Sequence, residues 1–423
     1  MKLPATLRAL QYRNFQLFFS GQLISLIGTW MQNVAQAWLV YRLTGSSVLL
    51  GAVSFAGQIP VFLFAPPGGI VADRFDRRKV VIATQSASML LAFALAALTL
   101  TGTVKIWHIF VLSALLGAVN SFDIPARQAF IVEMVGKTDL MNAIALNSSM
   151  FNASRVLGPA VAGILVATIG EGWCFFANAV SYIAVLIGLA QMNVVPRQIA
   201  EAVGSPIAHL IEGFRFVLRN APVHALLALL GIVSFTGTPY VVLMPIFADR
   251  ILHGGPTALG WLLGCTGFGA LAGALLLASR TSLRGLIRWA AGSATLFGVS
   301  LVGFAFSRVF WLSATILVPV GFLMMIEMGA CNTMIQSMVP DDLRGRVMSV
   351  YSMMLMGMGP LGSLVAGAAA DRLGAPVTVA VAGGACIGAA ILFWAWLPNF
   401  RPAARRLVAA QQALLEELPQ DRR

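Results

Sequence analysis

Twelve apolar stretches, each long enough to cross a bilayer, constrain this chain more than any other feature. A spanning helix needs about 20 mostly apolar residues. Such runs fall at 14–41, 47–72, 80–102, 106–130, 140–169 and 173–193. Six more fall at 224–248, 257–279, 286–306, 309–335, 346–370 and 375–397. Composition agrees, with 58% of the 423 residues hydrophobic and only 10% charged, whereas a soluble domain carries about 25% charge. The pattern predicts an all-α membrane protein with twelve transmembrane helices.

The net charge of +12 would suggest nucleic acid in a soluble protein. Here the positions of the charges give a simpler account. If the N-terminal side is called inner, 22 of the 28 Lys and Arg fall in inner segments and 5 in outer loops, with Arg155 inside a span. That bias predicts both termini in the cytoplasm of an inner-membrane protein and no nucleic-acid partner. Met1 to Arg13 is short and basic, but the run after it is too long for a signal-peptide core, so it is expected to be the first span.

Several chemistries lack their residues. Cys174, Cys265, Cys331 and Cys386 stand alone in apolar runs with no C-x-x-C pair, so neither a disulfide framework nor a zinc site is expected. There is no H-E-x-x-H and no P-loop, so no metal, cofactor or ATP engine is indicated. The G-x-G-x-x-G match "GMGPLG" (357–362) lies mid-span with a proline inside it, the wrong setting for a dinucleotide. With no convergent nucleophile and base, an enzyme is not expected.

The chain also repeats itself. At an offset of 204, Gly117/Gly321, Ala126/Ala330, Ile131/Ile335, Met134/Met338 and Val135/Val339 recur, and Asp123 falls opposite Glu327. The next span keeps the offset, "GPAVAG" (158–163) against "GSLVAG" (362–367). The organisation expected is a six-helix bundle at 1–193, a linker at 194–223, a second bundle at 224–400 and a cytoplasmic tail at 401–423. Within the linker, "SPIAHLIEGFRFVL" (205–218) reads either as an amphipathic helix on the inner membrane face or as a solvated connection.

The turn after the second span, "PGGIVADRFDRRKVVIA" (67–83), packs six charges into seven positions. It matches G-x-x-x-D-[RK]-x-G-[RK]-[RK] through Gly69, Asp73, Arg74, Arg77 and Arg78, with Asp76 where glycine is usual. With twelve spans and duplicated halves, the chain resembles the major facilitator superfamily of secondary transporters. It looks most like the enterobactin-exporter-like branch, through "LRALQYRNFQLFFSGQLISLIGTWMQ" (7–32), "DIPARQAFIVEMV" (123–135) and "MVPDDLRGRVMSVYS" (338–352). Gly158, Pro159 and Gly163 are similar to the antiporter-type signature of helix 5, with Ala162 in place of a glycine, and Ser113 stands where that family has an arginine on helix 4. The resemblance implies that helices 1, 4, 7 and 10 line a cavity. It also implies that Asp73 reaches Arg344 or Arg346 at the start of helix 11 to lock a cytoplasmic gate.

Candidate site residues follow. Gln22, Ser25, Thr29, Gln32 and Gln36 are spaced 3, 4, 3 and 4 apart, which puts them on one face of the first helix. That stripe either meets substrate and water or supplies interhelical hydrogen bonds. An ionised acid at mid-membrane costs about 2.5–3.5 kcal/mol even on insertion scales, so Asp123 and Glu327 must pair with a cation or carry a proton. Arg127, four residues after Asp123, offers an ion pair, while Glu327 has no cation within a helical turn. Glu327, then Asp123, are the expected proton-coupling groups. Arg155 shares a face with Ser148 and Asn152 and could hold an anionic substrate group or a structural pair. Ten of the 18 Met lie between Met324 and Met358, as an adaptable substrate wall or as packing. G-x-x-x-G pairs at 260–264 and 269–273 predict close helix packing. Pro60, Pro239, Pro245, Pro319 and Pro360 predict kinks.

The function expected is a secondary active transporter, a proton-coupled exporter of small amphiphilic compounds, siderophore-like or drug-like, working as a monomer by alternating access. The partners are a small-molecule substrate, protons and membrane lipid. The alternatives are a carrier for another solute, such as a lysolipid or metabolite, and a non-transporting membrane sensor or scaffold. A sensor would carry an added soluble domain, which the short tail argues against.

Overall fold

The computed structural model describes residues 5–193, 206–280 and 282–417. The linker residues 194–205, the charges Lys2, Arg197, Arg422 and Arg423, and the tail end 418–423 lie outside the described residues. Among the described residues every regular element is helical. α1 is Arg13–Thr44, α2 Ser47–Arg74, α3 Arg77–Leu100, α4 Ile106–Val135, α5 Leu140–Thr168 and α6 Glu171–Gln191. A short α7, Pro206–Arg219, precedes α8 (Ala221–Ile232), α9 (Tyr240–Ile246), α10 (Gly255–Ala278), α11 (Leu286–Phe306), α12 (Phe310–Met338), α13 (Asp341–Leu373) and α14 (Ala375–Glu417).

Eleven segments among the described residues are long and apolar enough to cross a membrane, α8 and α9 counting as one, Ala221–Ile251. The twelfth expected span, α1, has the length, 32 residues. Its Gln, Ser, Thr and Asn side chains hold its hydropathy down, because the polar face is directed at neighbouring helices. Lipid-facing positions carry the apolar surface: Leu90 is 63% and Trp396 65% exposed. Hydrocarbon makes that exposure favourable, where water would penalise it.

The helices divide between two compact units. The first comprises residues 1–203, 242–267 and 308–310, and the second 204–241, 268–307 and 311–423. In the first, α2 packs on α4, and α6 packs on both α1 and α3. In the second, α11 packs on α14, and α7 lies against α13. The turn between α1 and α2 is set by Gly45, whose φ of 59° suits a residue without Cβ, and by Ser46, whose side chain accepts from the Leu49 N–H.

Three boundaries differ from expectation for physical reasons. The seventh span is not one regular helix: π-turns at Val233–Gly237 and Phe247–Ile251 flank Pro239 and Pro245, which cannot donate to the helical ladder. α13 begins at Asp341, directly after Pro340. α14 continues to Glu417 through Pro398 and Pro402. The Phe393 and Phe400 rings, 5.2 Å apart, bridge the first proline, and the stretch beyond it is rich in Ala, Leu, Arg and Gln, which are strong helix formers. Residues 401–417, expected as tail, are therefore helical.

Candidate functional site

The charged turn between α2 and α3 divides its side chains between interior and surface. Arg77 is buried. Its Nε donates to the Ala72 carbonyl at 3.0 Å, and its Nη1 to the Ala129 carbonyl and Glu133 Oε1, both at 3.0 Å. One guanidinium thus ties α2, α3 and α4 together. Arg78 donates to the carbonyls of Leu189 and Ala190 at the end of α6, at 2.8 and 2.9 Å, where a helix carries its negative dipole end. Asp76 caps α3, its side chain accepting from the Lys79 N–H at 3.1 Å, which explains an acid where the family pattern has glycine. Asp73 is largely exposed, 3.5 Å from Arg77 Nη2, and Arg74 is exposed. Gly69 has open space around it; Gly68 is the crowded position, where a Cβ would run into the Ser121 carbonyl of α4.

In the second unit, Arg344 pairs with Asp341 on its own helix, and Arg346 pairs with Glu212 of α7 at 2.6 Å. Gly213 allows the close approach, since a Cβ there would stand 2.5 Å from the Arg346 carbonyl oxygen.

The polar stripe of α1 is largely committed to its neighbours. Gln22, almost fully buried, accepts from Arg127 Nη1 at 3.0 Å. Gln32 accepts from Asn178 of α6 at 2.7 Å, and Gln36 donates to Ser113 of α4 at 2.9 Å. Ser25 is buried, and its carbonyl accepts from Thr29. Asp123 sits in the same network: Thr84 and Gln85 donate to its Oδ1 at 2.8 and 2.9 Å, and Arg127 Nε lies 3.3 Å from its Oδ2. Asp123 has its cation and its donors.

Glu327 has neither. It is fully buried in α12. Its Oε1 accepts only the Cys331 thiol, at 3.5 Å, and its Oε2 has no hydrogen-bond partner among the described residues. The offset of 204 makes the contrast specific. Asp123 corresponds to Glu327, and Arg127 corresponds to Cys331. The second half keeps the acid and replaces its cation with a thiol. A buried carboxylate without a counter-charge is costly, and a proton removes that cost.

On α5, the Arg155 guanidinium lies 5.9 Å from the centre of the Trp30 ring, and Asn152 donates to the Ser148 carbonyl of its own helix. Gly158 lets α1 approach, with the Ile27 carbonyl 3.0 Å from where its Cβ would be. Pro159 and Gly163 face α10: a Cβ on Gly260 would meet the Pro159 carbonyl at 2.6 Å and the Gly163 Cα at 2.7 Å. The antiporter-type segment is thus a close helix contact on two sides. The glycine pair at 269–273 likewise allows α10 close to α12, at the backbones of Val318 and Phe322.

One cluster was not anticipated from sequence. Asp249 accepts from the Tyr41 hydroxyl at 2.7 Å, Arg250 donates to the Gly45 carbonyl at 3.2 Å, and its guanidinium lies 5.6 Å from the Tyr41 ring centre. It joins the end of the seventh span to the α1–α2 turn, at the opposite end of α2 from Asp73. The available signal was a charged pair, Asp249–Arg250, closing an otherwise apolar span. A second cluster holds the N-terminal segment: Asp139 accepts from Tyr12 at 2.8 Å and Gln11 at 3.1 Å, and the bond to Asp139 holds the Tyr12 phenol above its ordinary pKa.

Long apolar helices that bury acids, arginines and glutamines among themselves make a multi-pass membrane protein with a polar interior. A family model described as a transmembrane secretion effector matches residues 5–422, and the chain belongs to that family, within the major facilitator superfamily. Its relatives are transporters, not enzymes. The staphyloferrin A transporter of Staphylococcus aureus is 27% identical over 89% of this chain and 94% of its own length. The multidrug efflux pump Tap of Mycolicibacterium fortuitum is 28% identical over 82% and 86%, and the enterobactin exporter of Shigella boydii 25% over 85% and 88%. Among solved structures, the nucleoside transporter NupG superposes with a TM-score of 0.70 at 14% identity, over 93% of this chain and 99% of that one. At that identity the likeness shows the fold alone.

Proposed function

We propose that this protein is a proton-coupled exporter of small amphiphilic compounds, siderophore-like or drug-like, working as a monomer by alternating access in a bacterial-type inner membrane. Twelve spans in two six-helix repeats, 1–193 and 224–400, joined by the linker 194–223, hold both termini and the 401–423 segment in the cytoplasm. The observation that carries this reading is Glu327, a buried acid with one oxygen unpartnered among the described residues and a thiol where its repeat counterpart has an arginine. Such a group takes up a proton when its cavity faces the acidic side and releases it when water from the other side reaches it. Asp123, the other candidate, keeps its Arg127 pair. The siderophore and drug transporters among the relatives support the substrate class.

The experiment is transport of a substrate panel into inverted vesicles, with and without a collapsed pH gradient. Uptake of at least one amphiphilic anion or drug that stops on collapse is expected. Panel-wide uptake indifferent to the gradient would falsify proton coupling.

Two gates complete the cycle. Tyr41, Gly45, Asp249 and Arg250 form the outer one. Asp73, with Arg344 or Arg346, forms the inner one when the cavity faces out, supported by Gly69, Arg74, Arg77 and Arg78. In that state Arg344 and Arg346 exchange their present partners Asp341 and Glu212 for Asp73. Asp73→Asn then biases the carrier inward-open and slows turnover. Unchanged labelling of cysteine probes at the inner gate of that variant removes the lock.

A further inference from the structure

The second unit holds a basic pocket that the transport reading does not use. Its volume is about 870 Å³, and it lies between the α10–α11 turn and the C-terminal extension of α14. Arg284 and Arg288 line it from one side, Arg401 and Arg405 from the other, over an apolar floor that includes Met334 and Leu397. Arg401 lies within electrostatic reach of both Arg405 and Arg288. Among the described residues none of the four arginines forms an ion pair; Arg401 is half-buried and the other three are exposed at the pocket's mouth. The turn is held in shape by Arg280, stacked 4.0 Å over the Trp289 ring and donating to the Arg284 carbonyl at 3.1 Å.

Four like charges gathered around one opening make a favourable place for an anion. Arginine forks suit the oxygens of a phosphate. The position supplies the rest: arginines sit where α14 passes from its apolar segment into its charged one, and the buried side chains of Leu397 and Met334 give the pocket an apolar floor beneath them. A soluble phosphate needs no such floor, whereas an acyl chain does.

We propose that this pocket binds an anionic phospholipid, its phosphate among Arg284, Arg288, Arg401 and Arg405 and its acyl chain along Leu397 and Met334. The lipid holds the extended end of α14 against the α10–α11 turn.

The test uses the purified full chain in neutral detergent. It is titrated with phosphatidylglycerol, cardiolipin, phosphatidylcholine or inorganic phosphate, and retained adducts are counted by native mass spectrometry. Phosphatidylglycerol and cardiolipin should be retained and phosphatidylcholine should not. Each arginine near an anionic headgroup contributes about fivefold in affinity, so the Arg288→Gln/Arg401→Gln pair should lose about 25-fold. The exposed pair Arg215→Gln/Arg219→Gln should change nothing. Equal retention by the two double variants, or retention of phosphatidylcholine as strong as that of phosphatidylglycerol, overturns the site. Displacement of the lipid by inorganic phosphate alone overturns the lipid and assigns the pocket to a free anion.

Discussion

Glu327→Gln is expected to abolish transport driven by a pH gradient while leaving substrate exchange intact. Glutamine keeps the shape and a hydrogen-bonding capacity but cannot give up a proton. Exchange of one substrate molecule for another needs the cavity and the gates, and it needs no net proton movement. The two assays, gradient-driven flux and counterflow in the same vesicles, therefore separate a coupling residue from one that holds the helix together. A complementary substitution follows from the repeat. Cys331→Arg restores the i, i+4 pair that Asp123 makes with Arg127. It would hold Glu327 ionised, and so give the same uncoupled phenotype with the acid still present. Gradient-driven flux at the wild-type level in Glu327→Gln would remove Glu327 from the coupling step. Loss of exchange and flux together would make it structural instead.

How far the site could be read in the sequence depended on whether a residue's role is set by its own helix. Glu327 was legible because a carboxylate in a long apolar run has few outcomes and its nearest cation can be looked for along one chain. The pairing of Asp123 with Arg127 was legible by the same rule of four. The stripe on α1 was legible as a stripe, since spacing fixes the face. What the face meets is decided by α4 and α6, through Ser113, Arg127 and Asn178, and no spacing on α1 contains those. Gly69 matched a pattern, yet the backbone of α4 approaches at Gly68, because which of two adjacent glycines is crowded depends on the rotation of α2. The apolar run of the last span ends at 397, and the Phe393–Phe400 contact with the helix-forming residues beyond Pro398 carries α14 onward.

Arg77→Ala is expected to be the most destabilising change in the charged turn, even though Arg77 reads in sequence as one more basic residue in an exposed cluster. Its side chain is only 8% exposed, and it serves carbonyls on α2 and α4 together with Glu133. Removing one partner of a buried ion pair costs about 3–5 kcal/mol; Glu133 keeps some access to solvent, which places the expected loss near the lower end, about 3 kcal/mol. Arg77→Lys restores a charge but not the fork that reaches three acceptors at once, so it should recover part of the loss. Lys79→Ala, two residues along and exposed, should be near neutral. Thermal unfolding in detergent and the yield of folded protein in the membrane read these differences directly. If Arg77→Ala melts with wild-type protein but fails in transport, the arginine acts at the gate. If it melts early and Arg77→Lys lies between, the motif arginine is the pin that holds α2, α3 and α4 as one body, and Asp73 alone is left to move.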